Sequence, residues 1–240
     1  MKYIASLSGG KDSTAMVLRL IADGWPLDEI VYFDTGWEFP QMRDHLKQFE
    51  AFVGRSVTRL YPAEPFDYLM QLRPIVRRKR NDPMHGKIYR RGYGWPSHFR
   101  RWCTRTKLDA LDLYCGDALV YVGIAADEPS RRRLRNYPLI AWGMTETDCL
   151  DLCFSKGFDW SGLYSHFSRL SCFCCPLKGL DDFRTLRDHF PQLWTRMLTM
   201  GDNVTDETGQ RFSHGRSIRD LDARFACESH QCTLALGHTT

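Results

Sequence analysis

The chain has 240 residues, 43% of them hydrophobic, enough to bury one sizeable core with a small appendage. No segment approaches the apolar length needed to span a bilayer, and the N-terminal apolar run is too short for a signal peptide, so the expectation is a cytoplasmic protein with no membrane partner. In a reducing compartment its nine cysteines speak for metal ligands or redox chemistry rather than a disulfide framework. Net charge is only +4 but unevenly placed, with sixteen Lys/Arg against six Asp/Glu between Arg73 and Arg135. A block this basic implies an anionic partner, a polyphosphate nucleotide or a nucleic-acid backbone over 73–135.

The first predicted element is a strand over 2–8. It breaks into Ser8-Gly9-Gly10-Lys11-Asp12-Ser13 and then a helix over 13–23. Two glycines between strand and helix let the backbone turn and approach an anion, with Ser13 and the first helical N–H groups aimed at it. The spacing is not that of a Walker loop. A strand over 29–34 leads into Asp34-Thr35-Gly36, followed by a helix over 40–53, a strand over 56–61 and a helix over 66–72. Residues 75–105 are rich in Arg, Gly and aromatics, lack a period, and read as a long insertion or lid. A helix over 106–115 and a strand over 118–124 close the alternation, with Asp127-Glu128 just beyond. Helical patterns at 145–156, 179–189 and 190–200 then give way to a polar tail from about 201.

Strands alternating with helices predict an α/β fold, a parallel twisted sheet flanked by helices with a mainly helical, cysteine-bearing C-terminal part. Ligands of such sheets collect at the carboxyl ends of the strands, where Ser8–Ser13, Asp34–Gly36 and Asp127-Glu128 all fall. An ATP molecule there would rest its phosphates on Gly9, Gly10 and Ser13. Lys11 would neutralise charge, Asp12 would hold Mg²⁺ as a hard oxygen ligand, and Asp34 and Thr35 would face the adenosine or a second Mg²⁺ contact. Cys172-Phe173-Cys174-Cys175-Pro176 places thiols close enough for one metal, and Cys103 is the natural further ligand. A [4Fe–4S] cluster, Zn²⁺, or a metal-free site with a persulfide on Cys174 or Cys175 all suit Cys103, Cys172, Cys174 and Cys175. Cys149 and Cys153, spaced i, i+4, read as core.

The Ser-Gly-Gly-x-Asp-Ser loop resembles that of the PP-loop nucleotide α-hydrolases. Val31-Tyr32-Phe33-Asp34-Thr35-Gly36-Trp37-Glu38-Phe39-Pro40 resembles a segment of one branch, the phosphoadenosine phosphosulfate (PAPS) reductase family. Arg101-Trp102-Cys103-Thr104 with Lys107 is similar to another segment, and Gly123-Ile124-Ala125-Ala126-Asp127-Glu128 with Ser130 and Arg132 to a third. The resemblance implies nucleotide binding by Ser8, Gly9, Gly10, Lys11, Asp12, Ser13, Asp34, Thr35, Gly36, Gly123, Asp127, Glu128 and Arg132. It also implies a nucleotide-binding domain over 1–178, including the basic lid 75–105, with 179–240 as its helical extension. Ala125 stands where the family carries Arg, and the Glu-Cys-Gly-x-His tail of sulfonucleotide reductases is absent, loosely echoed by Cys227-Glu228-Ser229-His230-Gln231-Cys232. The intact Lys11-Asp12 pair favours an enzyme that cleaves ATP with pyrophosphate release for sulfur transfer, with Lys11, Asp12, Cys174 and Cys175 in the chemistry. The alternatives are a true PAPS or adenylyl-sulfate reductase using Cys227 or Cys232, and a non-catalytic nucleotide- or nucleic-acid-binding module.

Overall fold

A computed structural model describes residues 1–128, 130, 135–170, 172–204, 211–213 and 215–236, with 229–236 described by backbone alone. Arg132, Cys232 and His230, named above as candidates, therefore lie outside the described side chains. The chain divides into two units, Met1–Ala63 with Arg105–Cys172, and Glu64–Thr104 with Phe173–Thr240.

In chain order the elements are β1 (Tyr3–Leu7), α1 (Lys11–Ala22), β2 (Glu29–Phe33), α2 (Pro40–Val53), β3 (Val57–Leu60), α3 (Phe66–Gln71), β4 (Pro74–Val76) and β5 (Ile88–Arg91). There follow α4 (Trp102–Cys115), β6 (Leu119–Val122), α5 (Pro138–Ala141), α6 (Glu146–Ser155), α7 (Leu163–His166), α8 (Leu180–His189), α9 (Pro191–Asp202) and α10 (Ile218–Leu236). A short 3₁₀ turn, Trp160–Gly162, precedes α7.

The first unit is built on a four-stranded sheet of order β3-β2-β1-β6, parallel throughout. Ile4 of β1 pairs with Glu29 of β2 and Val120 of β6, so β1 is central. Ile4, Ala5 and Leu7 are all buried without strict alternation, as a strand covered on both faces requires. Ile4, Val31, Val120 and Cys115 form one core cluster under α4. α2 matches its predicted bounds because Pro40 fixes its first turn and Gly54, at φ +63°, ends it in a left-handed cap. α6 is started by a capping box in which the Asp148 N–H reaches the Thr145 hydroxyl and the Thr145 N–H reaches the Asp148 carboxylate.

Boundaries differ from expectation where tertiary contacts extend a helix. α1 begins at Lys11, two residues earlier than its pattern, so Lys11 and Asp12 sit in its first turn. α4 begins at Trp102 rather than 106, its first turn fastened by the Trp102 indole N–H to the Gly94 carbonyl (3.0 Å), contacts wholly within the second unit.

In that second unit the segment expected to lack regular structure contains the antiparallel hairpin β4–β5. The tail expected to be polar from 201 contains the nineteen-residue helix α10, because Ile218, Leu221 and Phe225 recur on one face and are buried. Asp222 of α10 accepts from the Trp194 indole (2.8 Å) and from Arg187 (3.2 Å), tying the helix to α8 and α9. Among the described residues no helix is long and apolar enough to cross a membrane.

Candidate active site at the carboxyl ends of the strands

The loop after β1 turns on Gly9, at φ +81°, a conformation side-chain-bearing residues rarely adopt. A Cβ there would also lie 2.3 Å from the Met42 sulfur. Gly10 then precedes α1 in extended conformation, with no side-chain cap on the helix. Gly10 has no side chain to cap the twelve-residue helix, and a helix N-terminus is a favourable place for an anion. Ser13 Oγ donates to the Gly10 carbonyl (3.1 Å) and accepts from the Ser8 N–H (3.0 Å), closing the loop as a small ring.

Residues far along the chain fix this loop. The Trp160 indole donates to the Gly9 carbonyl (2.7 Å), the Lys11 N–H donates to the Tyr164 hydroxyl (2.7 Å), and the Cys153 thiol reaches the Lys11 carbonyl (3.5 Å). Behind them His45 stacks on Trp160 at 4.5 Å and hydrogen-bonds Thr14 (3.2 Å), while burial pushes its imidazole down to about 4, so it is neutral. Trp160 and Ser161 are the two non-glycine residues with positive φ among those described, 50° and 51°. The Asp159 carboxylate, accepting from the Ser161 N–H (2.9 Å), holds that turn.

Lys11 is buried, its ammonium 2.9 Å from Glu146 and 3.6 Å from Asp12. Expected to point at phosphate, it is instead already engaged by a carboxylate from the first turn of α6. Asp12 is pushed up to about 6, chiefly by burial, with Glu146 and Glu128 adding to the shift against the opposing charge of Lys11. Its Oδ1 is buried without a hydrogen-bond partner. Burial raises Glu146 too, but the Lys11 hydrogen bond and charge outweigh it and its carboxyl lies below the ordinary value. Oxygens of Asp12, Glu128 and Glu146 lie within 4.8 Å of one another, the one such group of metal-capable side chains among the described residues. Three carboxylates with an unsatisfied buried oxygen suit a hard divalent cation.

The remaining predicted residues fall into two classes. Gly123 is pressed against the first turn of α1, where an added Cβ would come 2.7 Å from Ser13 Cα and 2.8 Å from its nitrogen. Asp127 accepts from the Glu146 N–H (3.1 Å) and so starts α6, while Glu128 pairs with Arg169 (3.4 Å). Asp34 accepts from the Gly36 N–H (2.8 Å) in a local turn. Thr35 donates to Glu38 (2.6 Å) and lies 3.7 Å from the Cys172 sulfur, and burial raises the Glu38 carboxyl. Cys172 ends the first unit. Cys103, Cys174 and Cys175 belong to the second, where Cys174 is fully buried and the Cys103 thiol is pushed up by burial, with Cys175 adding to it. Those three thiols do not all come within 4.8 Å of one another. Cys149 and Cys153 are fully buried and their thiols pushed up by burial, Cys153 to about 12, in keeping with core positions.

Sequence reasoning assigned no role to Glu146, Trp160, Tyr164, His45 or Glu38. Of these, only Glu38 had a local signal, standing four residues after Asp34 in the loop behind β2.

The family model for the phosphoadenosine phosphosulfate reductase domain matches residues 2–132, more than half of the chain. Two curated relatives are uncharacterized proteins of Methanocaldococcus jannaschii. MJ0066 is 25% identical over 88% of this chain and 43% of its own length, and MJ0973 is 22% identical over 80% and 46%. The chain thus spans under half the length of these relatives. Among solved structures, the U34-tRNA thiolase NcsA from Methanococcus maripaludis, with its [4Fe-4S] cluster, aligns at 15% identity and a TM-score of 0.42, covering 94% of this chain and 72% of that one.

Proposed function

Since this chain belongs to the phosphoadenosine phosphosulfate reductase domain family, we propose that it is an ATP-using enzyme that activates an acceptor by adenylylation and serves sulfur transfer. In the first step an acceptor oxygen attacks the α-phosphorus of ATP, the bond to the bridging oxygen breaks, and pyrophosphate leaves. In the second a hydrosulfide-class sulfur attacks the activated carbon, the carbon–oxygen bond breaks, and AMP leaves. No net electrons move.

The observation that carries the reading is the glycine-turned start of α1 beside the carboxylates of Asp12, Glu128 and Glu146. Those three residues would hold Mg²⁺, which when bound neutralises polyphosphate charge. Gly9 and Gly10 bring backbone close to the phosphates, Ser13 shapes the loop, and Lys11 supplies positive charge steadied by Glu146. Asp34, Thr35 and Gly36 would border the nucleoside, and Arg132 would add a further cation.

Thiolates are the donors a [4Fe–4S] cluster requires, and within the second unit Cys103, Cys174 and Cys175 are the candidates, although they do not close to the spacing of a single Zn²⁺. Full burial of Cys174 makes Cys175 the better candidate for a reacting thiol. No step of the proposed reaction is assigned to a cluster.

A sulfonucleotide reductase is the rival, favoured by one observation, the exposed Cys227 on α10. One pair of assays separates the two. Pyrophosphate formed from ATP with Mg²⁺ and a pool of cellular RNA and small molecules as acceptor, with AMP released on adding sulfide, both lost in Asp12→Ala and Ser13→Ala, uphold the proposal. Sulfite released from PAPS or adenylyl sulfate with a thiol reductant, and lost in Cys227→Ser, refutes it. Iron, zinc and sulfide analysis of anaerobically purified protein reports on the cysteine set.

A further inference from the structure

Between Arg73 and Thr104 the chain carries ten Lys/Arg and a single acidic residue, Asp82. All of this segment lies in the second unit, and most of it is the β4–β5 hairpin with its connecting loop. Asp82 is consumed locally, pairing with Arg77 (2.8 Å) and accepting from the Met84 N–H (2.9 Å). Among the described residues no ion pair involves Arg78, Lys79, Arg80, Lys87, Arg91 or Arg100, and all six are exposed. A nucleotide of three phosphates is too small to neutralise so many cations. A solvated polar loop would not carry what accompanies them.

Tyr89, the residue bulged out between the paired positions Val76–Ile88 and Ile75–Arg90, is 42% exposed with the Arg77 guanidinium over its ring at 4.6 Å. Arg90 lies 5.9 Å from the same ring. Phe99, directly before Arg100, is 99% exposed. Both rings are therefore presented to solvent among the cations.

Backbone contacts hold the hairpin in one arrangement. The loop is closed by Arg77 N–H to the Lys87 carbonyl (3.0 Å) and Gly86 N–H to the Arg77 carbonyl (3.0 Å). Its base is welded to α3 by Gly92 at φ +69°, where a Cβ would strike the Met70 carbonyl at 2.1 Å. The next two residues donate to α3, Tyr93 to Leu69 (2.9 Å) and Gly94 to Met70 (2.9 Å). Little chain entropy is then lost when a ligand docks.

Rows of unpaired cations interleaved with exposed rings match a flexible polyanion that also offers planar faces. We propose that the β4–β5 hairpin and Phe99 bind single-stranded nucleic acid, phosphates on Arg78, Lys79, Arg80, Lys87 and Arg91, and unstacked bases on Tyr89 and Phe99. This inference goes beyond the adenylylation reading and stands without it.

The test is equilibrium binding of the full chain, without ATP, to fluorescent strands of about 20 nucleotides, RNA in one arm and DNA in the other, across a salt series. With about five phosphate contacts, log affinity should fall with log salt at a slope of about −3 to −4, a loss of about 100-fold between about 50 and about 200 mM. The exposed triple variant R78Q/K79Q/R80Q should reduce that slope by about 2, and Tyr89→Ala or Phe99→Ala should weaken binding about ten-fold at fixed salt. The tighter arm names the nucleic acid. The inference is overturned if neither strand binds, if the triple variant leaves the slope unchanged, or if vesicles rich in anionic lipid bind more tightly than either strand. Pyrophosphate release has no part in this readout, so loss of the proposed reaction and loss of nucleic-acid binding are separately visible.

Discussion

Replacing Asp12 by asparagine should stabilise the empty protein while removing the proposed binding of Mg·ATP. The folded structure raises this carboxyl from 3.8 to about 6, mainly by burying it. Each pKa unit is worth about 1.4 kcal/mol, so ionised Asp12 costs the fold about 2–3 kcal/mol at neutral pH. The sign follows from the direction of the shift. Below 3.8 the group is protonated in both folded and unfolded chains and imposes no penalty. As pH rises through about 6 the folded protein must release a proton it holds more tightly than the unfolded chain, and stability is lost. Asparagine keeps the shape and cannot ionise. The Asp12→Asn protein should melt about 4–8 °C above wild type at a pH of about 7.5, and the gap should close as pH falls to about 4. Thermal melts of both proteins over that range measure it, each pH compared within the pair so that other titrations cancel. Equal melting temperatures at neutral pH, or a gap that does not narrow on acidification, would refute the assignment of a buried, strained carboxylate. The companion measurement is Mg·ATP affinity, which should rise with pH through about 6 in wild type and be lost in the variant.

Gly123→Ala should destabilise by about 1–3 kcal/mol and weaken ATP binding, because its Cβ would displace Ser13 backbone from 2.7 Å; urea unfolding and nucleotide titration check both. Glu146→Gln leaves the Lys11 ammonium, 6% exposed, with Asp12 at 3.6 Å as its remaining carboxylate, and should cost about 2–4 kcal/mol by the same unfolding measurement. In the native protein, alkylation followed by mass mapping should modify Cys227 well before Cys149 or Cys153, since those two are fully buried with raised thiol pKa values.

The parallel sheet was legible because its strands are continuous apolar runs and its connections have helical period; Tyr3–Leu7 and Pro40–Val53 needed no tertiary information. The glycine turn after β1 was legible because it is local, six consecutive residues at a strand–helix junction. The β4–β5 hairpin was not, because its strands are three and four residues long, bulged, and mostly exposed, so alternation never accumulates. Nor was α10, whose apolar stripe of Ile218, Leu221 and Phe225 is diluted by five charged residues from Arg219 to Glu228.

The site was harder to read than the fold for a different reason. What determines the loop's electrostatics is separated from it by most of the chain: Glu146 meets Lys11 across 135 positions, Trp160 meets Gly9 across 151, and Tyr164 meets Lys11 across 153. No spacing rule connects such pairs. The family match ends at residue 132, so the residues that clamp and charge the loop lie outside the segment defining the family. The Ser-Gly-Gly-Lys-Asp-Ser motif alone places a lysine where phosphate is expected. Glu146 makes that lysine half of an ion pair, and with Asp12 and Glu128 it leaves the region more acidic than the motif suggests. A polyphosphate approaching without a divalent cation meets carboxylates before it meets a spare positive charge. If ATP binds as proposed, its dependence on Mg²⁺ should rest on Glu146 together with Asp12 and Glu128, and a chain sharing this loop but lacking an acid at the start of α6 should depend on the cation less.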